Sequence, residues 1–199
     1  MKTRILSFAV LVAVLTGSAK ITEAAAASSN YTVLNDIKAI NKIEVHGNVQ
    51  LFISDSPADQ VTVYNKYYSE NALVQNRNGV LRISSYGAEK LIVWVSSESL
   101  QSVSAYDNAD IRSFGDVAKI EFNVDLHNSA TAELKFNAFS VNVVLRDSAS
   151  AKFSGRVEEF GMSRENRSLV NNNSLSVGQN TENEVIEGNN AGKKLIAGA

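Results

Sequence analysis

The stretch VNVVLRDSASAKFSG, from Val141 to Gly155, decides the fold because the chain contains two close copies of it upstream. The earlier copies are FNVDLHNSATAELKFN, which begins at Phe122, and VSAYDNADIRSFG, which begins at Val103. In each copy a run of β-forming residues meets a small polar triplet, resumes as a shorter run and ends at Gly or Asn. Self-similarity at a period of about 20 residues is typical of repeat architectures. Each copy is therefore interpreted as one structural repeat.

The polar triplets mark the first corner of each repeat, and they begin 21 and then 19 residues apart. They are Asp107-Asn108-Ala109, Asn128-Ser129-Ala130 and Asp147-Ser148-Ala149. A degenerate fourth copy is expected near Arg167-Ser168. Strands are predicted before the triplets (102–105, 120–126, 139–145) and shorter ones after them (111, 132–136, 151–153). The shorter strands end at a second corner, Gly115, Asn137 or Gly155, where Gly and Asn readily adopt positive φ.

Alternation of apolar and polar residues predicts which side chains face the core. Through the triplet the parity is kept, so Asn128 is expected on the inward side with the small Ala130. At the second corner the parity flips, so Phe139 is expected to follow Phe136 into the core. The strand that begins at Ile120 alternates strictly, which predicts one buried face that includes Ile120 itself.

These patterns predict an all-β, single-domain β-solenoid, a β-helix-like roll in which equivalent strands pair from repeat to repeat. The alternative is a meandering β-sandwich, which does not need similar corner residues at a fixed interval. Between Ile43 and Val95 longer strands are expected, with a hairpin turn at Asn78-Gly79. The run Leu91-Ile92-Val93-Trp94-Val95 is apolar throughout, so both of its faces are expected to be covered. Residues 65–75 are predicted as loop.

The first residues have the pattern of a secretory signal peptide. Lys2 and Arg4 precede an apolar run over residues 5–15, and small residues follow up to Ala27. The run is shorter than the roughly 20 residues that a membrane-spanning helix needs. The expected organisation is a signal peptide at 1–27, a linker at 28–36, the β domain at 37–188 and a loose tail at 189–199. Cleavage is expected after Ala19 or within residues 24–27.

Composition limits the partners of the exported chain. Without Lys2, Arg4, Lys20 and Glu23 the chain keeps 16 basic and 20 acidic side chains, a net charge near −4. These charges are scattered, which argues against nucleic acid and against anionic membranes. The chain has 0 Cys, so disulfide scaffolds and thiol-ligated metal sites are ruled out. The expected location is the periplasm, the outer cell surface or the medium, with no membrane span after signal removal.

The order IEVHGNVQLFIS, QVTVYN, VQNRNGVLRIS and KLIVWVSSESLQSVSAYDNADI resembles the putative auto-transporter adhesin head GIN domain, a secreted bacterial domain common in Bacteroidetes. The resemblance covers about residues 37 to 175 and includes the turn His46-Gly47-Asn48 and the strand Gly79-Val80-Leu81-Arg82-Ile83. The triplets depart from the Gly-Ser-Gly that is usual in the family. The resemblance implies a β-helix-like fold and a cell-envelope or secreted location, and it implies no established reaction.

The corner residues Asp107, Asn128 and Asp147 are the main candidate binding site, because stacked repeats would bring them into register. Each side chain could bond its own corner backbone, as in an Asx turn. The three could also coordinate a hard cation such as calcium, or act as acid and base on a glycan. The first interpretation is favoured, because the glycine-aspartate calcium repeat is absent. Asn128 also stands between the two acids.

Two histidines and four tyrosines complete the candidates. His46 and His127 lie in different halves of the sequence and in no catalytic motif, so they are interpreted as surface or turn residues. Tyr64, Tyr67, Tyr68 and Tyr86 concentrate in the N-terminal half, where they could stack on sugar rings or form a protein interface. Partial burial against neighbouring loops is the favoured interpretation.

The expected function is an exported binding or adhesion-type module with no catalytic residue, no metal and no cofactor. Its expected partner is a surface ligand, a glycan or a protein, and not nucleic acid. One alternative is a carbohydrate-active β-helical enzyme. Another is a homo-oligomeric envelope scaffold built through the open ends of the roll, because an unpaired strand edge is a template for pairing.

Overall fold

The computed structural model describes residues 31–64, 72–165 and 167–185, without the side chains of residues 184 and 185. These ranges are all-β and contain no helix, so none that could cross a membrane occurs there. The predicted signal peptide (1–27) and loose tail (189–199) lie outside the described residues. Within the predicted linker, Thr32–Leu34 form the first strand.

The N-terminal half contributes seven of the 13 strands found in the described residues. They are β1 (Thr32–Leu34), β2 (Lys42–Gly47), β3 (Val49–Ser54), β4 (Gln60–Tyr64), β5 (Ala72–Arg77), β6 (Val80–Ser85) and β7 (Leu91–Ser96). The repeats contribute β8 (Ser102–Ala105), β9 (Asp110–Ser113), β10 (Glu121–Leu126), β11 (Thr131–Leu145), β12 (Ser150–Glu165) and β13 (Leu169–Val185). The last three are long because each passes through the second corner of its repeat without interruption.

All the strands belong to one curled sheet with the order β1-β4-β7-β3-β9-β11-β10-β8-β2-β6-β5, to which β12 and β13 add beside β11. Equivalent strands of successive repeats pair in parallel. Ser102 lies opposite Asn123, an offset of 21 residues, and Glu121 lies opposite Ser140, an offset of 19. These offsets equal the intervals between the triplets. The prediction that equivalent strands pair from repeat to repeat is confirmed.

One continuous apolar core lies behind the sheet and takes side chains from both ends of the strand order. Four buried phenylalanines from the second repeat onward form a column inside it. They are Phe122, Phe136, Phe153 and Phe160, with successive ring centroids 6.0, 5.6 and 5.9 Å apart. Burial of each such side chain contributes about 1.5–3 kcal/mol, so this column is a main source of cohesion between repeats.

The first corner of each repeat holds its Asp or Asn in the left-handed region, with φ of 62° at Asp107, 59° at Asn128 and 55° at Asp147. Asp and Asn are the non-glycine residues that best tolerate this conformation. Left-handed φ breaks the alternation, and Asn128 is exposed while Ala130 is fully buried. The expectation that Asn128 shares the inward side is therefore wrong.

A fourth corner follows β12, as the sequence predicts. In the third repeat the Ala149 N–H donates to the Arg146 carbonyl at 3.1 Å. The Ser168 N–H makes the equivalent bond to the Glu165 carbonyl at 3.0 Å, and Ser168 is buried. The corner therefore persists although the triplet is degenerate.

The second corner differs from the sequence prediction. Ala138 and Val141 are buried, while Phe139 between them is 52% exposed and Ile120 in the preceding repeat is 84% exposed. Two consecutive residues, Phe139 and Ser140, point away from the core. The change of parity therefore falls two residues later than expected, and the side chains of Phe139 and Ile120 lie on the outside. Positive φ occurs at Gly115 (83°) and Gly155 (97°), as predicted, but not at the strand residue Asn137.

Antiparallel strands of the N-terminal half lie at both ends of the sheet order, β1, β4 and β7 at one end and β5 and β6 at the other. The hairpin turn at Asn78-Gly79 is confirmed, since both residues have positive φ and β5 pairs antiparallel with β6. Residues 72–75, predicted as loop, belong to β5, and residues 65–71 lie outside the described residues. In β7 only Leu91, Val93 and Val95 are buried. Ile92 and Trp94 are only partly buried on the opposite face, so the prediction of two covered faces is wrong.

The last strand carries polar residues at core positions. Asn180 lies opposite the buried Phe160, and Glu182 lies opposite the buried Met162. Val177 opposite Val157 still packs against the core. A polar outer surface is what the terminal unit of a repeat array needs to remain soluble, so β13 has the composition of a cap.

Candidate functional site

The predicted corner residues form a hydrogen-bonded ladder, which we call the corner ladder. The Asp147 carboxylate accepts from the Asn128 N–H at 2.9 Å, and the Asn128 amide oxygen accepts from the Asp107 N–H at 3.2 Å. The ladder continues at both ends: the Asp147 N–H donates to the Glu165 carboxylate at 2.7 Å, and the Gly47 N–H donates to the Asp107 carboxylate at 3.0 Å. The structure thus brings all three predicted residues together.

The partner of each side chain is a backbone N–H on a neighbouring strand or corner: that of the preceding repeat for Asn128 and Asp147, and that of Gly47 at the end of β2 for Asp107. The interpretation that each residue bonds the backbone of its own corner is therefore wrong. With left-handed φ, the side chain points along the stack to the neighbouring corner. In this arrangement one oxygen of each corner side chain already accepts a backbone N–H, which is a structural role. Within the described ranges, no group of three or more His, Asp or Glu residues is arranged to hold a metal ion.

Tyr86 lies at the end of the corner ladder and not with Tyr64. Its phenol O–H donates to the Asp107 carboxylate at 3.3 Å. Partial burial and the nearby Asp107 charge both raise the pKa of Tyr86 above its ordinary value. The predicted tyrosine cluster is therefore divided, and Tyr67 and Tyr68 lie outside the described residues.

The two histidines come together, although they lie in different halves of the sequence. His46 and His127 stack on opposite sides of Tyr106, with ring centroids 4.4 and 4.6 Å from it. The His127 Nε2 atom is 3.0 Å from Asp125 Oδ1, without hydrogen-bond geometry. The stack arises because β2, β8 and β10 are neighbours, and it covers the sheet beside the corner ladder.

An exposed aromatic cluster lies on the outer surface of β3, β4 and β7, and we call it the aromatic face. Its members are Tyr31, Phe52, Tyr64, Trp94 and Phe114. Trp94 is central, with ring centroids 4.8 Å from Phe52, 5.2 Å from Phe114 and 6.5 Å from Tyr64. Phe114 is 64% exposed, Tyr31 47% and Tyr64 41%. Contiguous exposed apolar side chains are uncommon on the surface of a soluble protein.

Strand register explains why these rings meet. Phe52 lies directly opposite Trp94 across the β3–β7 pair, and Thr62 lies opposite Trp94 across the β7–β4 pair. The alternate residues of the same strands, such as Val93 and Leu51, are fully buried. The central rings of the aromatic face therefore lie directly over the core, and strand pairing sets their positions.

Charged side chains begin where the aromatic face ends. Arg112 lies opposite Phe52, and the same row continues through Glu133 and Lys152. The hydrogen bond from Lys152 at 2.7 Å and its positive charge lower the pKa of Glu133. Arg112 donates to Asp110 at 3.0 Å. The outer surface thus has an aromatic part and a paired-charge part.

Sequence reasoning identified one member of the aromatic face, Tyr64, and missed the other four. The run Leu91–Val95 could have indicated the aromatic face. A strand with one buried face that is apolar throughout must also have an apolar outer face. Alternation in QLFIS likewise places Phe52 opposite to the buried Leu51 and Ile53. The side chains of Tyr31 and Phe114 lie outside such alternating runs.

Comparison with known proteins gives a family and a fold. The family model described as "Putative auto-transporter adhesin, head GIN domain" matches residues 39–188. A crystal structure of "a putative adhesin from Parabacteroides merdae" is similar, with a TM-score of 0.62, 16% identity and coverage of 77% of this chain and 76% of that one. No curated protein matches the chain.

Two structures from Parabacteroides distasonis show the same fold likeness. A "putative adhesin" has a TM-score of 0.59 and 16% identity, and covers 78% of each chain. A "Putative lipid binding protein" has a TM-score of 0.62 and 11% identity, and covers 79% of each chain. At these identities the likeness concerns the fold alone.

Proposed function

Because the chain belongs to the putative auto-transporter adhesin head GIN domain family, we propose that it is an exported, non-catalytic binding module of the cell envelope. We further propose that the aromatic face is its binding surface. The observation that carries the proposal is the exposed cluster around Trp94, which stands on a rigid sheet and is unexplained by folding. Exposed aromatic side chains cost solubility, and they are typical of interaction surfaces.

The finer architecture and location belong to the same proposal. A β-helix-like roll is supported by the parallel registers of 19 and 21 residues and by the single core that all the repeats share. Export to the periplasm, the outer surface or the medium is supported by the pattern of residues 1–27 and by the family's adhesin description. A rigid, repetitive body that presents one flat face suits recognition outside the cytoplasm.

The alternatives have weaker support. An enzyme that used Asp107 and Asp147 would depend on carboxylates of which one oxygen already accepts a structural hydrogen bond, from the Gly47 and Asn128 N–H groups. A scaffold stacked through the core of β13 would have to bury Asn180 and Glu182. Burial of such polar groups without partners costs several kcal/mol.

The binding function is tested by sedimentation of the purified chain with intact cells and insoluble envelope material from the source bacterium. The wild-type chain is expected to co-sediment. Trp94→Ala is expected to remain in the supernatant, whereas Phe139→Ala, which removes an exposed ring outside the aromatic face, behaves as wild type. Equal sedimentation of the two variants would remove the aromatic face from the proposal.

Export and the absence of catalysis need separate measurements. Cell fractionation is expected to find the chain outside the cytoplasm with a shortened N-terminus, and a full-length cytoplasmic chain would contradict this. The purified chain is expected to release no products from a polysaccharide panel. Release that Asp147→Ala abolishes would establish the enzyme instead.

A further inference from the structure

We propose that the ligand of the aromatic face is a neutral glycan, a short run of uncharged sugar rings laid across β4, β7 and β3. This inference rests on the proposed function and names the ligand class of that same surface. It is carried by three features: the stacked rings at the centre, the hydroxyl and amide groups on either side, and the absence of charged residues from β3, β4 and β7.

The central row of the face provides a stacking platform. Thr62, Trp94 and Phe52 lie opposite one another on three adjacent strands, and the Trp94 and Phe52 rings stack with an interplanar angle of 24°. Sugar rings present C–H bonds on their faces, and these pack on the negative face of an aromatic ring. Phe114 and Tyr64 flank Trp94 at tilted angles, so they are placed to bound the ligand at its sides.

Neutral polar rows lie on both sides of this platform. On one side Gln60 lies opposite Ser96, and Ser96 lies opposite Ser54, with the two serine Oγ atoms 2.8 Å apart. On the other side Tyr64 and Gln50 both lie opposite the apolar Ile92, and the Gln50 amide already donates to the Asp110 carboxylate of β9 at 3.0 Å. Hydroxyl and amide groups donate and accept hydrogen bonds. They match the hydroxyl groups that ring the edge of a sugar.

The platform strands contain no charged residue. Their sequences are VQLFIS in β3, QVTVY in β4 and LIVWVS in β7. An anionic polysaccharide or an anionic lipid surface is recognised through Lys and Arg, and none lies on these strands. The nearest cation along the row, Arg112, is already paired with Asp110 at 3.0 Å. A neutral ligand therefore fits the surface better than an acidic one.

Size and shape favour a chain over a single ring. Three strands spaced about 4.8 Å apart give roughly 10 Å between β4 and β3. The surface is a flat platform and not an enclosed cavity, so each sugar is held on one face only. Affinity is then expected to accumulate over several rings, and polysaccharides are expected to bind where monosaccharides do not.

Affinity electrophoresis of the full chain in gels that contain one polysaccharide each tests the inference. The probes are dextran, mannan and xylan as neutral chains, alginate and hyaluronan as acidic chains, and vesicles of phosphatidylcholine alone or with phosphatidylglycerol in a parallel flotation assay. At least one neutral polysaccharide is expected to retard the chain. Retardation is expected to persist in high salt, because no ion pair forms.

Single-residue variants test whether the polysaccharide binds to the aromatic face. Trp94→Ala is expected to weaken retardation by about tenfold or more, because it removes the central ring on which a sugar would stack. Phe114→Ala, at a more exposed position, is expected to weaken it without disturbing the fold, and it keeps the test valid if Trp94→Ala unfolds. Phe139→Ala is the matched control and is expected to bind as wild type.

The outcomes separate the inference from the proposed function. Trp94-dependent binding to acidic chains or vesicles alone would overturn the neutral-glycan inference and leave the aromatic face as the binding surface. Failure of every probe, together with retained Trp94-dependent sedimentation with cells, would overturn the glycan inference in favour of a protein partner. Failure of both assays would overturn the proposed function as well.

Discussion

Replacement of Gly155 by alanine is expected to destabilise the fold more than the same replacement at Gly115. Both glycines occupy the second corner of a repeat with positive φ, 97° and 83°. They differ in surroundings. A Cβ at Gly155 would lie far inside van der Waals contact of the Phe136 carbonyl oxygen, which belongs to the paired residue of β11. A Cβ at Gly115 would have no heavy atom within 4 Å.

The magnitude follows from two separate costs. Both variants place an L-residue in the left-handed region, which costs about 1–2 kcal/mol. Gly155→Ala must in addition move β12 away from β11 or distort the bend, an overpacking cost of about 1–3 kcal/mol. We therefore expect losses of about 1–2 kcal/mol for Gly115→Ala and about 2–5 kcal/mol for Gly155→Ala. The difference measures how closely successive repeats are stacked.

Urea denaturation of the full chain measures both values, with the fluorescence of its 1 tryptophan, Trp94, as the signal. For a slope of about 1–3 kcal/mol per molar urea, the Gly155→Ala midpoint is expected roughly 1 M below that of Gly115→Ala. Equal midpoints would mean that the Gly155 backbone does not lie against Phe136. The stacking of repeats through parallel pairing at this corner would then be wrong.

Three further predictions test the corner ladder, an ion pair and the metal interpretation. Asp147→Gly, which tolerates left-handed φ but removes the carboxylate, is expected to lower the unfolding free energy by about 1–3 kcal/mol, because the Asn128 N–H loses its acceptor; Asp147→Asn, which keeps an oxygen and also tolerates left-handed φ, should lose much less, and equal losses in denaturant melts would contradict the ladder. Burial would raise the pKa of Glu44, but Lys42 and Arg82 outweigh it and lower that pKa below 4.5. The resulting stability is present above pH 4.5 and lost as pH falls through the folded-state pKa, so Glu44→Gln should flatten the acid limb of the stability–pH curve, and an unchanged limb would refute this. Melting temperature is expected to be the same with added calcium or a chelator, and a calcium-dependent rise would revive the cation interpretation.

The repeat period and the first corners could be predicted from the sequence because both are local. Asp and Asn at Asp107, Asn128 and Asp147 tolerate left-handed φ, and strict alternation between corners identifies a buried face. What could not be predicted is where a side chain goes once the backbone leaves regular geometry. Left-handed φ at Asn128 turned its side chain to the neighbouring repeat, and the outward pair at the second corner exposed Phe139.

The aromatic face illustrates a different limit. Trp94 lies in a run that is apolar on both faces, and apolar character alone does not tell a covered face from an exposed binding surface. The difference depends on which strands lie beside β7 and whether anything packs over them, which is long-range information. His46 and His127 show the same limit, since only the order of β2, β8 and β10 brings them to opposite sides of Tyr106.

Titration of the full chain with neutral oligosaccharides, followed by Trp94 emission, tests the central claim most directly. Because the chain has 1 Trp and this residue lies at the centre of the aromatic face, any change in emission reports on that surface. The account predicts a saturable change that Phe114→Ala weakens and Phe139→Ala preserves. Emission that stays constant while an oligosaccharide binds, or that responds identically in both variants, would contradict the claim that the aromatic face is the binding surface.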